Sequence, residues 1–544
     1  MTKSTISRRS FLTGAAGAGA LAAAGALAGC SPSTNTGSSA GDESDSTTTS
    51  SWRTQPDMPT DISETIDADI VVVGAGSSGL SAAVQAAEKG AKVVLLEKNP
   101  FVGGCSTFAE GLFGIESEWN RLRSDTLTKE KAFEGLMERH AYEIDSQMTR
   151  DYVWGTAENL EWLSKHDIKF QVVRMTPWEE ATWHEIGEYK GKRHGEALVT
   201  ALKDHADRLG VQTLTSTPAV SLIADKDGAI VGVNAKSKAD NYTISARAVI
   251  LSSGSFGDSK EKVAKWAHRD PEFWKPSIPI GKTGDGIQMA LDKGAALGRP
   301  GFIGHLGTEG KGIQFAGDLY TTSWQPSALW VNSDGVRFVN EEVAYSFSQA
   351  ANAIYSQFGH SAWSIFDESQ VKYMEEKGVD SGVGVIVPVG QKLVNLRKEI
   401  RAALDAGSDG FKAADSVAGL AKEIGVPAEA LEAAVADYNR MAANEHDGQF
   451  FKKDKYLRPL DTSKLYAIRL RSYFFSAYGG LNTNRRFQVL DTNNKPIRGL
   501  YASGLEVSNM IGHTYTTWSS GHAFGFACYS GRHAALNAAA DIGK

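Results

Sequence analysis

Cysteine is scarce in this sequence: only Cys30, Cys105 and Cys528 occur in 544 residues. That excludes a disulfide framework and a four-cysteine iron–sulfur cluster within the chain. No CxxCH is present, so no c-type haem is attached here. No long basic block occurs and the net charge is −7, so nucleic acid is not an expected partner, and no metal site is expected. Glycine, in contrast, is abundant at 56 residues, much of it in short turns of the kind nucleotide-binding α/β folds need. The length and the 42% hydrophobic content allow two or three domains and a core able to bury a cofactor.

The first thirty residues read as an address. Ser7-Arg8-Arg9-Ser10-Phe11-Leu12 opens the chain, and an uncharged Ala/Gly/Leu run follows from Phe11 to Gly29. A twin arginine with Phe-Leu behind it reads as a Tat signal. The run is too rich in Gly and Ala to make a strong permanent span. Leu27-Ala28-Gly29-Cys30 resembles a bacterial lipobox, which implies cleavage before Cys30 and diacylation of its thiol. Acyl chains would hold the protein to the outer face of the cytoplasmic membrane. An ordinary signal peptide with a chance cysteine is the plainer alternative. Residues 31–64 are mostly Ser, Thr, Gly and Asp and read as a flexible tether.

A dinucleotide fingerprint follows. Ala68 to Val73 is a β-branched run, then come Gly74-Ala75-Gly76-Ser77-Ser78-Gly79, a helical stretch from Leu80 to Lys89, and a second strand from Lys92 to Leu96 that ends in Glu97. Gly74 permits the tight turn, Gly76 lets the backbone approach a pyrophosphate, and Gly79 lets helix and strand pack closely. The helix N-terminus offers free N–H groups to the phosphates, and Glu97 can accept from ribose hydroxyls. Three distant glycine motifs decide between a simple NAD domain and a flavin site: Gly103-Gly104-Cys105-Ser106-Thr107, the strand Ala246–Leu251 running into Gly254 and Gly257, and Gly499 to Glu506. Separate backbone segments of this kind must meet the ribityl chain and isoalloxazine of FAD. The expected cofactor-binding set is Gly74, Gly76, Ser78, Gly79, Glu97, Lys98, Gly104, Cys105, Ser106, Gly254, Asp285, Gly504 and Glu506. Asp227-Gly228, between Val220–Ala224 and Ile230–Ala235, reads as a hairpin turn.

Taken together with Thr283-Gly284-Asp285-Gly286 and Arg337-Phe338-Val339-Asn340-Glu341, these segments resemble the fumarate reductase/succinate dehydrogenase flavoprotein superfamily, which includes the 3-ketosteroid dehydrogenases. The resemblance runs from about residue 66 to 544. It implies an α/β fold: a Rossmann-type FAD-binding domain in two segments, 65–278 and 456–544, with an α+β capping domain inserted over 279–455. The active site would lie over the flavin at the domain interface. Covalent attachment in that family uses a histidine near the second glycine motif; none stands there in this chain, so noncovalent FAD is expected.

The resemblance also shows what has changed. Fumarate reductases carry a proton-donating arginine four residues after the glutamate of the Arg-Phe-Val-Asn-Glu segment, and here that position is Tyr345. Their histidine three residues before the glycine pair is Ser476, and a further arginine aligns with Trp518. A dicarboxylate would therefore lack its bidentate partners. Gly512-His513-Thr514-Tyr515 resembles the segment whose tyrosine binds the substrate carbonyl in ketosteroid dehydrogenases, and Tyr345 matches a tyrosine they use in proton transfer. The resemblance thus implies Tyr515 as carbonyl donor, Tyr345 as proton relay if the site lowers its pKa, and Trp518 and Ser476 as pocket residues. Arg337 and Glu341 read as a structural ion pair. Glu506 reads as orienting the flavin end, and the start of the last helix at His522 as facing the flavin. His513 reads as structural, and His305 falls near the remaining family histidine. The expected function is an exported FAD-dependent oxidoreductase that reduces an activated C=C bond, such as an enone, in a steroid-like or aromatic small molecule. Its electrons would come from a membrane or extracytoplasmic donor. The alternatives are a 3-ketosteroid-type dehydrogenase, a fumarate- or urocanate-like carboxylate reductase, and a non-catalytic electron-relay lipoprotein.

Overall fold

Strand β1 (Ile70–Val73) has no exposed residue, the mark of a parallel strand covered on both faces. In the computed structural model, which describes residues 61–123, 125–175, 180–383 and 387–544, it lies inside a six-stranded sheet. The signal segment with Cys30, and all but the last four residues of the 31–64 stretch, lie outside the described residues. Helix α1 (Ser77–Glu88) follows β1 and returns the chain to β2 (Val93–Leu96). Strand β1 begins two residues later than the sequence suggests, where the Asp69 carboxylate turns to accept from Lys92 N (2.8 Å). Helix α1 begins three residues earlier, directly after Gly76. A Cβ on Gly79 would stand 1.8 Å from the Gly74 carbonyl oxygen, so only glycine lets α1 sit this close to the turn.

Beyond β2 the chain adds β3 (Gln212–Leu214), then β4 (Ala219–Ala224), β5 (Ile230–Lys236), β6 (Asn241–Ser245) and β7 (Ala248–Leu251). The hairpin expected at Asp227-Gly228 joins β4 to β5, and these two with β6 and the strand Glu64–Asp67 form a four-stranded sheet. Strand β7 pairs in parallel with β1, Ala248 opposite Ile70. Chain order therefore reverses between β1 and β7, with β2 and β3 on one side and β7 on the other.

The cap is organised around one long strand. Strand β8 (Gly301–Thr308) leads in, helix α2 (Phe347–Tyr355) and strand β9 (Ala362–Asp367) follow, and β10 (Leu465–Tyr478) pairs with both β8 and β9. Within β10, Leu465 and Ala467 share a core with the cap residues Leu329, Trp363 and Tyr438. Phe474, Ala477 and Tyr478 belong to the core of the nucleotide domain. Strand β10 thus contributes to both cores. At the other end Ile287, Met289 and Ala295, with Phe302 of β8 and Ala351 of α2, pack in that same core. A glycine-rich turn and β11 (Gln488–Leu490) then lead to β12 (Pro496–Ala502), which pairs in parallel with β7. The final helix α3 (His522–Asp541) packs on α1 so closely that a Cβ at Gly531 would reach 2.1 Å from the Ser78 carbonyl oxygen.

Candidate active site

A groove of about 870 Å³ opens at the ends of β1, β2 and β7, at the point where strand order reverses. Gly74, Gly76 and Ser78 line it from the first turn, and Gly104, Cys105 and Ser106 from the second glycine motif. Glu97, Lys98, Gly254, Asp285 and Gly504 complete the part foreseen from sequence. A Cβ at Gly76 would meet nothing closer than the Ser106 hydroxyl at 3.6 Å; the glycine keeps that space open for a phosphate above the N–H groups of α1. Gly79 lies one layer deeper and serves packing only. The Glu97 carboxylate is buried at the end of β2 and accepts from Ala75 N (3.0 Å) and Asn99 N (2.8 Å).

Glu506 tests whether these residues fit a flavin. One carboxyl oxygen accepts from Ser253 N (2.8 Å) and the Ser253 hydroxyl (2.5 Å). The other is buried with no partner among the described residues. Burial pushes the group up to about 8, against the pull of Ser253, so near neutral pH it is largely a neutral acid with one oxygen unused. A buried polar group is rarely left so, and a ribityl or isoalloxazine polar atom of FAD would satisfy it.

Sequence reasoning missed Lys282, although it precedes the Thr283-Gly284-Asp285-Gly286 motif directly. Its ammonium is buried in the groove wall, donates to Ile278 O (2.6 Å) and Phe475 O (2.9 Å), and lies 3.4 Å from the Cys105 sulfur. Burial raises the Cys105 thiol more than Lys282 lowers it, which keeps the thiol protonated. Lys98 and Asp285 pair with each other at 2.7 Å. Burial raises Asp285, but Lys98 and Thr283 outweigh it and hold the carboxyl below its usual value.

The residues expected on the substrate side come from several elements. The Tyr515 hydroxyl donates to Ser519 O (3.3 Å) and faces the N–H groups of Gly521, His522 and Ala523 at the start of α3. Burial lifts this phenol to about 12 even though those N–H groups pull it down, so it is a stable hydrogen-bond donor at neutral pH. Ser476 is buried on β10, its hydroxyl 3.3 Å from that of Ser255 beside the groove. Trp518 packs on the helix Lys129–Arg139, with the Arg139 guanidinium 4.2 Å above its ring, a cation that sequence reading did not connect with the site. His513 forms an exposed pair with Glu143 (2.8 Å), in keeping with a structural role. His305 is buried and stacked on Phe475 at 4.2 Å, with its imidazole bonded to the Ser277 hydroxyl. Burial pushes it down to about 4, so it is neutral.

Tyr345 is in the cap, at the end of a 3₁₀ turn, and its phenol is bonded to that of Tyr456 at 2.5 Å; burial, and then that contact, raise this phenol where the sequence reading called for a lowered one. The expected Arg337–Glu341 pair is present with two hydrogen bonds (2.9 and 2.8 Å), and Asp447 and Lys452 join it. A link between cap and nucleotide domain runs from Asn352 on α2 to the Thr514 hydroxyl (2.6 Å), one residue from Tyr515.

A glycine turn at a helix start, a buried acid at the next strand end and an unsatisfied buried carboxyl, all at one strand-order reversal, fit a flavin-binding oxidoreductase. The chain belongs to the FAD binding domain family, which it matches over residues 69–520. A vinyl phenol reductase of Lactiplantibacillus plantarum is 35% identical over 481 residues, 87% of this chain and 96% of that protein. A probable fumarate reductase of Shewanella frigidimarina is 28% identical over 475 residues, 86% and 74% of the two chains. The crystal structure of 3-ketosteroid-Δ4-(5α)-dehydrogenase from Rhodococcus jostii RHA1 shares the fold, with a TM-score of 0.70 at 24% identity over 89% of this chain and 99% of that one. The chain is an FAD-dependent oxidoreductase of the same group as these reductases of carbon–carbon double bonds.

Proposed function

We propose that this protein holds FAD noncovalently and reduces a carbon–carbon double bond conjugated to a phenol ring or an enone. What supports the reading is two phenols, Tyr345 and Tyr515, which the sequence resemblance aligns with a proton-transferring and a carbonyl-binding tyrosine of ketosteroid dehydrogenases. The 35% identity to a vinyl phenol reductase over nearly the whole of both chains supports the aromatic side of this class. The neutral Ser476 and Trp518 favour an uncharged substrate over a dicarboxylate.

FAD, when bound, would supply the hydride. Tyr515 would hold the oxygen at the far end of the conjugated system. For an enone this stabilises the developing enolate. For a para-vinylphenol it would hold the ring oxygen by a hydrogen bond while the side-chain double bond takes one hydride and one proton, giving the ethyl phenol with its O–H intact. Tyr345 would give the proton to carbon. Trp518 would form an aromatic wall. The chain would be exported by Tat, anchored through lipidated Cys30, and fed electrons by a membrane or extracytoplasmic donor.

The test is anaerobic. Reduced protein is mixed separately with 4-vinylphenol, a hydroxycinnamate, a steroid enone and fumarate, and flavin reoxidation is followed. Reoxidation by an aromatic alkene or the enone at least about tenfold faster than by fumarate is expected from the loss of charged carboxylate contacts. Preference for fumarate would sink the reading, and oxidation only by protein acceptors would favour electron relay.

A further inference from the structure

We infer that Tyr456 is the second half of the cap's proton donor: it holds the Tyr345 phenol in place and returns the proton that Tyr345 gives to substrate. This rests on the reading just proposed. The two hydroxyl oxygens are 2.5 Å apart, at the short end for O–H···O bonds. The rings themselves are 6.2 Å apart and tilted by 51°, so the contact is made by the hydroxyls and not by stacking. Tyr456 is only 3% exposed, which shields the bond from competing water.

The two turns that carry these phenols are stitched together. Tyr345 ends the turn Glu341–Tyr345, and Tyr456 ends the turn Asp454–Tyr456. Lys452 Nζ pairs with Glu341 at 3.1 Å, and Lys453 Nζ with Glu342 at 2.9 Å. Lys453 N also donates to the Glu342 carboxylate (2.9 Å). Two consecutive lysines on one strand of chain thus bind two consecutive glutamates on the other. These contacts hold the two turns, and with them the two phenols, in fixed register.

The proton balance is simple. The Tyr345 O–H bond breaks as the C–H bond forms on substrate, leaving a phenolate. The Tyr456 O–H bond then breaks as Tyr345 is reprotonated, and a solvent proton that enters at the half-buried Tyr345 restores the pair. No oxidant or reductant enters, because the hydride is accounted for by the reduction itself. Burial, first, and the Tyr456 contact, second, hold Tyr345 well above the ordinary phenol range. Its phenolate is therefore a strong base that recovers a proton from the nearest donor.

The experiment uses full-length, FAD-loaded protein with Tyr456→Phe, which keeps the ring and removes the hydroxyl. With the alkene that the wild type reduces, kcat should fall about 10- to 100-fold, toward the low end of general-acid effects, with KM within about twofold. The solvent deuterium isotope effect should rise, since proton resupply becomes slower. Tyr345→Phe combined with Tyr456→Phe should be no worse than Tyr345→Phe alone. A merely structural Tyr456 would leave the isotope effect unchanged and give additive losses, and either result overturns the inference. As an activity-independent readout, 3-fluorotyrosine at position 345 should shift its ¹⁹F resonance when Tyr456 becomes Phe. If the wild type reduces no alkene, the functional reading falls separately; the ¹⁹F result then decides, and an unmoved resonance would overturn the pairing.

Discussion

The flavin groove and the cap's phenol site are built in opposite ways. The groove is made of short local signals: glycine turns, each within a few residues, brought to one sheet edge by parallel strands. The phenol site is made of side chains 111 residues apart, joined by a buried charge cluster. In the groove the backbone does the binding, so the residue types are nearly forced. In the cap the side chains do the work, and many residue types could occupy each position. Cofactor binding is therefore the stable property of this fold and substrate chemistry the adjustable one.

The strongest way to break the first half of the comparison is Gly79→Ala. The added Cβ would meet the Gly74 carbonyl at 1.8 Å, and both partners are backbone. Helix α1 must move off the turn, at a cost of about 1–3 kcal/mol for overpacking. The expected outcome is protein with little bound flavin, read as the ratio of 450 nm to 280 nm absorbance. Normal flavin content would mean that the turn is not the phosphate cradle.

The matching change in the cap is Arg337→Ala. Arg337 is 3% exposed and pairs with Glu341 and Asp447. Its removal leaves buried carboxylates short of a partner, which costs about 3–5 kcal/mol. Thermal melting should show the cap unfolding earlier while the flavin stays bound. Acid offers a milder version. Burial raises Asp447, but Arg337 and the N–H groups of Phe450, Lys452 and Gln449 hold its carboxyl far below the usual range. A depressed carboxyl contributes stability above the unfolded value of about 3.9, and the contribution is lost as pH falls below that toward the folded value. The melting difference between wild type and Asp447→Asn should be constant from pH 7 to 5 and shrink below about pH 4. A difference that grew on acidification would contradict the assignment.

These two sites also show where sequence reading stops. The Gly74–Gly79 turn, the hairpin at Asp227-Gly228 and the Arg337–Glu341 pair were legible because each is fixed by residues close in sequence. Lys282 was within reach, since it stands beside a recognised motif, but a lone lysine carries no signal of burial. Tyr456 was not legible at all: it lies in an unremarkable Asp-Lys-Tyr stretch, and only the folded cap brings it to Tyr345. The hand-over between cap and nucleotide domain is hidden in the sequence for a related reason. Strand β10 is a single hydrogen-bonded element that serves two cores, and no change in composition marks where one ends.

Tyr515→Phe sharpens the comparison from the substrate side. The hydroxyl faces the first turn of α3, so its loss removes one preorganised donor and nothing from the groove. Turnover should fall about 10²–10³-fold, the usual effect of deleting such a donor, with the flavin spectrum intact. Turnover within twofold of wild type would remove Tyr515 from the chemistry.

The smallest expected effect is the most discriminating between substrates. Arg139 lies over Trp518, the position where the resemblance places an arginine in fumarate reductases. A guanidinium stacked on an indole keeps its edge available for hydrogen bonds. If Trp518 and Arg139 together stand in for the missing arginine, Arg139→Gln should weaken binding of a hydroxycinnamate through its carboxylate, and leave 4-vinylphenol nearly unchanged. An exposed charge contact is worth about 0.2–1 kcal/mol, which is a change of up to about fivefold in KM. The ratio of the two KM values is the quantity to measure, because general effects on folding or flavin loading cancel in it. An unchanged ratio would remove Arg139 from carboxylate recognition.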